Sequence, residues 1–211
     1  MSDRAPRLMT VEEFVAWQSG QDQLYELVDG LPMAMAGARL RHDRVTANAI
    51  RNIGNQLRAA NSPCDAFTDD VGVLTPAGRI RRPDVSVLCP PFDEDALIVD
   101  HPRLVVEVLS ESTEHVDRLF KLGEYQSMAS IEYIVMVDPT RVEVGFWSRD
   151  AAGGWQSEWL REPEAVLEMP KLGLSITLGS LYERVPLDPA PRPRLVWGDA
   201  SDDTPPPGTG V

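Results

Sequence analysis

A single α/β domain with a mixed central sheet flanked by helices is the fold this sequence predicts. Three observations predict it. Short β-rich runs stand between two helical stretches, and one run, 104–109, is apolar at nearly every position. The 211 residues, 43% apolar and 25% charged, suffice for one well-filled core.

Taken in order, Thr10-Val11-Glu12-Glu13 has the spacing of a capping box and leads into Val11, Phe14, Val15 and Trp17, so a short helix opens the fold. Residues 24–28 and 31–35 flank Asp29-Gly30, a hairpin signal, with Pro32 keeping the second strand at an edge. Val45, Ala49, Ile53 and Leu57 recur every four residues and predict an amphipathic helix over roughly 41–60, arginines on its flanks. Residues 71–74, 84–88 and 104–109 read as strands, the last covered on both faces. Ser112 or Thr113 can cap a helix running to about Met128, with an apolar stripe of Val116, Leu119, Phe120 and Gly123. Strands at 133–137 and 142–147, a Gly153-Gly154 turn, and 175–178 with Leu181-Tyr182 complete the domain. Trp147, Trp155 and Trp159 read as packing of a C-terminal hairpin. The domain spans 1–186, and 187–211, rich in Pro and Asp, is expected to be a flexible tail.

No run reaches the roughly 18 apolar residues of a membrane span, and the N-terminus has no apolar leader segment, so the expectation is a cytoplasmic protein with no membrane partner. Cys64 and Cys89 have neither a CxxC partner nor a nearby His; they read as small buried apolar residues, not a disulfide framework or a zinc site. A net charge of −13 opposes broad nucleic-acid binding, because neutralising phosphates needs a cationic surface. Arg39, Arg41, Arg44, Arg51 and Arg58, with Arg79, Arg81 and Arg82, could make a local basic wall, or they could be solvated faces.

Glu107 is the most informative residue. A carboxylate inside Leu-Val-Val-Glu-Val-Leu is drawn into a core, where a metal ion, a buried basic partner or protonation must compensate it. Asp84 opens the preceding strand after Pro83, and two carboxylates on adjacent strands can hold a hard divalent cation through oxygen ligands. Pro83-Asp84 could equally be a turn that starts a strand.

Pro83-Asp84 and then Glu107 in a buried strand resemble the PD-(D/E)xK nuclease superfamily. Tyr25-Glu26-Leu27-Val28-Asp29-Gly30, His42, residues 83–87 and 105–110, Asp117 with Lys121 and Tyr125, and 132–139 together resemble the Uma-type family of restriction endonucleases. The resemblance implies a restriction-endonuclease-like fold over about 10–185. Asp84 and Glu107 would be metal ligands for Mg2+ or Mn2+, joined by the Val108 carbonyl and, upstream, Glu26. The superfamily Lys belongs two residues after the Glu, where this chain has Leu109; the resemblance moves that role to Lys121 on the following helix. Lys121 could otherwise form a surface pair with Asp117. A compact ammonium beside a scissile phosphate fits a Lys in a chain that has eighteen Arg and only two Lys. His42, Arg44, Arg81 and Arg82 are candidate nucleic-acid contacts, whereas Tyr125 and Tyr133 read as packing residues. The implied activity is metal-dependent hydrolysis of phosphodiester bonds in nucleic acid, DNA foremost, by a homodimer. Two other readings stay open: a nuclease-fold module that only binds a partner, and a metal-dependent hydrolase of a small phosphorylated substrate.

Overall fold

A computed structural model describes residues 7–110 and 115–188. The expected cap at Ser112 or Thr113, the side chain of Val116 and all but the first two residues of the expected tail lie outside the described residues.

Helix α1 (Val11–Gln18) begins as its sequence requires: the Glu13 amide donates to the Thr10 hydroxyl at 3.2 Å and the Thr10 amide to the Glu13 carboxylate at 3.1 Å. Strands β1 (Tyr25–Val28) and β2 (Leu31–Ala34) form the hairpin, turning through Asp29 and Gly30, both at positive φ. Helix α2 (Leu40–Ala59) follows, then β3 (Asp65–Thr68), β4 (Gly72–Leu74), β5 (Ile80–Arg81), β6 (Val85–Leu88), β7 (Ile98–Val99) and β8 (Leu104–Val108). Helix α3 (His115–Ser127) crosses over to β9 (Tyr133–Val137). The remainder is β10 (Val144–Arg149), β11 (Trp155–Leu160), β12 (Val166–Met169), a 3-10 turn (Pro170–Leu172), β13 (Leu174–Thr177) and α4 (Leu178–Leu181).

The strands divide between two larger sheets instead of one. The main sheet is ordered β11-β10-β9-β8-β6-β3, and a second is ordered β2-β1-β5-β4-β7, with β2 at its edge as Pro32 demands. The chain passes from the second sheet to the first at Pro83, between β5 and β6, where a residue without an amide hydrogen interrupts the ladder. β8 and β9 are parallel, the connection that needs the α3 crossover.

Each face of the main sheet buries a different layer. Val45, Ala49, Ile53 and Leu57 of α2 pack with Val85, Val87, Val106 and Val108, and β12, β13 and α4 complete this core. On the other face, Val105, Ile134 and Met136 pack with Tyr125 of α3, with Met128 just after it, and with Val73 from the second sheet. In the β10–β11 hairpin Trp147 and Trp159 meet edge to face, and the Arg149 guanidinium lies 4.4 Å from the Trp155 ring.

Two further expectations need correction. The stripe of α3 is turned: Leu119 and Phe120 are exposed (45% and 57%), as is Gly123, and the inward face carries Lys121, Glu124 and Tyr125, with buried Met128 just past its end. Its neighbours include buried charges, so the polar face of the helix is the complementary one. Cys64 and Cys89 are bonded to each other; the β3–β6 register that pairs Asp65 with Leu88 sets them opposite one another one step further on. Their separation of 25 residues hid a cross-strand adjacency that only the pairing of β3 reveals.

The arginines flanking α2 fasten the last described segment of the chain. Arg41 pairs with Asp188 at 3.0 Å, Arg44 donates to the Arg184 carbonyl at 2.5 Å, and Arg51 pairs with Glu183 at 2.6 Å. Buried Asn48 donates to the carbonyls of Leu181 (2.8 Å) and Glu183 (3.0 Å). Asn48→Ala leaves these carbonyls without that donor, and a loss of roughly 2–3 kcal/mol of stability is expected in urea unfolding.

Candidate active site

The acidic residues converge because of strand register. β6 and β8 are antiparallel with Val85 opposite Val106, which sets Asp84 opposite Glu107 at the next step, and residues so paired share one face of a sheet. The same count across β3 and β6, where Thr68 faces Val85, sets Asp69 opposite Asp84. Asp69 was missed from sequence because β3 itself was not anticipated; Thr68-Asp69-Asp70 at the end of a β-like run is the signal that could have found it.

One oxygen of each central carboxylate is fixed by the protein. Asp84 Oδ2 accepts the Val108 amide at 2.6 Å. Glu107 Oε1 accepts the Tyr125 hydroxyl at 2.6 Å and lies 3.4 Å from Lys121 Nζ. His42, from the first turn of α2, brings Nε2 to 3.4 Å from Asp84 Oδ1, and its Nδ1 is buried with no hydrogen-bond partner among the described residues. Tyr125 therefore does more than pack: fully buried, it orients Glu107.

Glu26 sits in a different electrostatic setting. Its Oε1 accepts from Lys121 Nζ at 2.9 Å and from the Arg82 amide at 3.1 Å, while Oε2 accepts from Arg81 Nη1 at 3.0 Å. Arg81 also donates through Nε and Nη2 to Glu124 on α3, at 2.8 and 3.0 Å. Arg82 donates to the carbonyls of Tyr25, Asp69 and Asp70. Arg81 and Arg82 are thus buried structural residues and Arg44 is spent on Arg184; none of the three forms the basic wall facing a ligand that was entertained from sequence. A run of charges reads alike whether it faces water or a set of buried acceptors.

The protonation equilibria separate the carboxylates into two kinds. Burial lifts Asp84 to about 7, against the pull of the Val108 amide and Lys121. Burial likewise lifts Glu107 to about 7, with Lys121 opposing and Asp84 adding to the rise. Burial also acts to raise Glu26, yet Lys121, Arg81 and the Arg82 amide together hold it below the ordinary carboxylate value. Lys121 is raised: burial disfavours its charge, but Glu107 and Glu26 more than offset that. Burial keeps His42 below the ordinary imidazole value, against the Val108 carbonyl and the nearby acids. Protein cations outweigh burial at Glu26, whereas at Asp84 and Glu107 burial outweighs the pull of Lys121.

Among the described residues no group of three or more His, Cys, Asp or Glu side chains is placed to hold a metal ion by itself. The donor set at Asp84 and Glu107 is hard oxygen, with the Val108 carbonyl as neighbour, which suits a cation that keeps part of its water shell. At the usual superfamily lysine position Leu109 is buried with Tyr125 and Met136, and no cation is held there.

Comparison with known proteins gives the family and the fold. Residues 11–179 match the family Uma2, described as "Putative restriction endonuclease". Two proteins of Synechocystis sp. (strain ATCC 27184 / PCC 6803 / Kazusa) are similar. Uncharacterized protein slr1290 is 28% identical over 176 residues, 82% of this chain and 91% of that one. Uncharacterized protein sll1609 is 24% identical over 166 residues, 77% of this chain and 93% of that one. A crystal structure from Anabaena variabilis ATCC 29413, described as a putative nuclease belonging to DUF820, superposes with a TM-score of 0.68 at 17% identity, covering 82% of this chain and 97% of that one. That likeness shows a shared nuclease-like fold. The matched family span contains Glu26, His42, Asp84, Glu107, Val108 and Lys121, and on it the chain belongs to the Uma2 restriction endonuclease family.

Proposed function

We propose that the chain is a divalent-metal-dependent phosphodiesterase acting on nucleic acid, DNA foremost. One observation carries this reading: two buried carboxylates, register partners on adjacent strands, have a single ammonium beside them, 3.4 Å from Glu107, and burial still lifts both to about 7. Mg2+ or Mn2+ would be held by Asp84, Glu107 and the Val108 carbonyl. A hard divalent ion there supplies a water of lowered pKa and charge stabilisation at the phosphate. Tyr125 and the Val108 amide hold the two carboxylates in place. Lys121, kept protonated by Glu107 and Glu26, serves as a hydrogen-bond donor that orients water or phosphate, not as a base. The homodimer expected from the family belongs to the same proposal; a monomer in sedimentation at micromolar concentration refutes it.

A second reading, hydrolysis of a small phosphorylated substrate, is favoured by the internal use of Arg41, Arg44, Arg51, Arg79, Arg81 and Arg82 in a chain of net charge −13. Plasmid, single-stranded DNA, RNA and a chromogenic phosphodiester, each with Mg2+, Mn2+ or EDTA, separate the two. Metal-dependent cleavage of nucleic acid, lost in Asp84→Ala, is expected. Turnover of the small ester alone supports the second reading, and metal binding without turnover of either leaves a binding module.

Two further outcomes follow from the charges. Lys121→Ala and Lys121→Arg are both expected to abolish cleavage. Lys121→Ala also strands buried Glu26 and Glu107, so it melts earlier, by up to about 3 kcal/mol at this partly accessible site, in contrast to an exposed pair with Asp117. For the metal-free protein, Asp84 and Glu107 have native pKa values raised to about 7, above their unfolded values. Their contribution to stability is full below the unfolded values and is lost as pH rises through the native ones. The melting temperature is expected to fall between about pH 5 and pH 8, and added Mn2+ to restore it mainly at the upper end. A flat profile in calorimetry counts against uncompensated carboxylates.

A further inference from the structure

We propose that Glu26 is not a ligand of the cation but the positioning residue of Lys121: held by Arg81 and the Arg82 amide, it fixes the ammonium against Glu107. This rests on the phosphodiesterase reading for its catalytic meaning, and on geometry alone for the contact itself.

A carboxylate offers about four lone-pair directions, and Glu26 has three filled by protein donors within 3.1 Å: Lys121, the Arg82 amide and Arg81. The one direction left would set a hard divalent ion beside two cations already held by this carboxylate, Lys121 and Arg81, which repel it. Asp84 and Glu107 have no such coverage, so the demand for an external cation lies between them. Lys121 is nearer to Glu26 than to Glu107, at 2.9 Å against 3.4 Å, so Glu26 is its principal anchor. The stem of a lysine has four rotatable bonds, and an unanchored ammonium would sample positions away from the phosphate.

The same guanidinium that holds Glu26 holds Glu124, one turn along α3 from Lys121. The anchor and the helix that carries the lysine are therefore referenced to one buried group, Arg81. This explains how a catalytic ammonium can be delivered from a helix when the strand position two residues after Glu107 is occupied by Leu109.

The chain has two lysines, Lys121 and Lys171, so 15N-lysine labelling gives two ammonium signals. In metal-free protein a slowly exchanging Nζ signal is expected from Lys121, absent in Lys121→Arg. It is expected to be lost to solvent exchange in Glu26→Gln and kept in Asp84→Asn. A signal unchanged in Glu26→Gln, or no protected signal in the wild type, overturns the proposal. Should Glu26→Gln fail to fold, Glu26→Asp keeps the charge on a shorter stem, and its Lys121 signal is expected to shift and exchange faster; an unchanged signal again refutes.

Metal binding gives the second arm. Mn2+ titration followed by electron paramagnetic resonance is expected to show Glu26→Gln within about twofold of wild type, whereas a loss of about tenfold or more makes Glu26 a ligand and overturns the proposal. In kinetics kcat falls with little change in KM, and the Glu26→Gln/Lys121→Met double variant is no slower than Lys121→Met alone; additive losses refute action through Lys121. If the wild type neither binds Mn2+ nor cleaves, the phosphodiesterase reading falls, while the ammonium signal still decides the contact.

Discussion

A guanidinium that is 2% exposed must find its partners inside the protein, and Arg81 finds them on two layers: Glu26 in the hairpin of the smaller sheet and Glu124 on the crossover helix. Buried ion pairs of this kind contribute little net stability compared with apolar packing, but they are costly to half-break, so they restrict which arrangements are tolerated. Helix α3 depends on that restriction. With Leu119 and Phe120 turned outward, its apolar docking is limited chiefly to Leu122, Tyr125 and Met128, and rotating it to bury the outward pair would withdraw Glu124 from Arg81. The orientation that satisfies the guanidinium is also the one that points Lys121 and Tyr125 at Glu107.

How an acidic chain distributes its few cations matters more than their sum. Arginines on α2 hold the segment 181–188, and those near β5 hold Glu26, Glu124, Asp29 and the loop carbonyls after β3. Asp84 and Glu107 stand where this provision stops. Their weaker compensation is a consequence of placement, since Glu26 lies close by and has three protein donors.

The sequence was most legible where one physical signal acted alone. Capping at Thr10, the Asp29-Gly30 turn and the four-residue repeat of α2 each follow from local backbone chemistry or one-sided burial, and the structure has all three. Glu107 was conspicuous because it interrupts an apolar strand, and its pairing with Asp84 followed from two strands being neighbours. What was not legible depended on partners distant in the chain. The inward face of α3 is polar because its neighbours are charged, which no hydrophobic periodicity can express. Arg81 and Arg82 looked like surface charge because their acceptors lie some 55 residues upstream and 43 downstream, or on backbone carbonyls. The two-residue strands β5 and β7 are too short to carry a pattern, and without them the second sheet could not be drawn.

The fastening of α2 bears on the order in which the chain can reach its native state. The hydrogen bonds from Asn48 and Arg44 to the carbonyls of residues 181–184 span 133 to 140 residues of sequence. A quarter of the main core, on β12, β13 and α4, arrives from the same end. On a ribosome, the N-terminal half would emerge with its longest helix formed but its buried amide and apolar stripe uncovered. Native packing must then wait for nearly the whole domain to be synthesised, a high contact order that makes final assembly slow and prolongs exposure to proteases and chaperones.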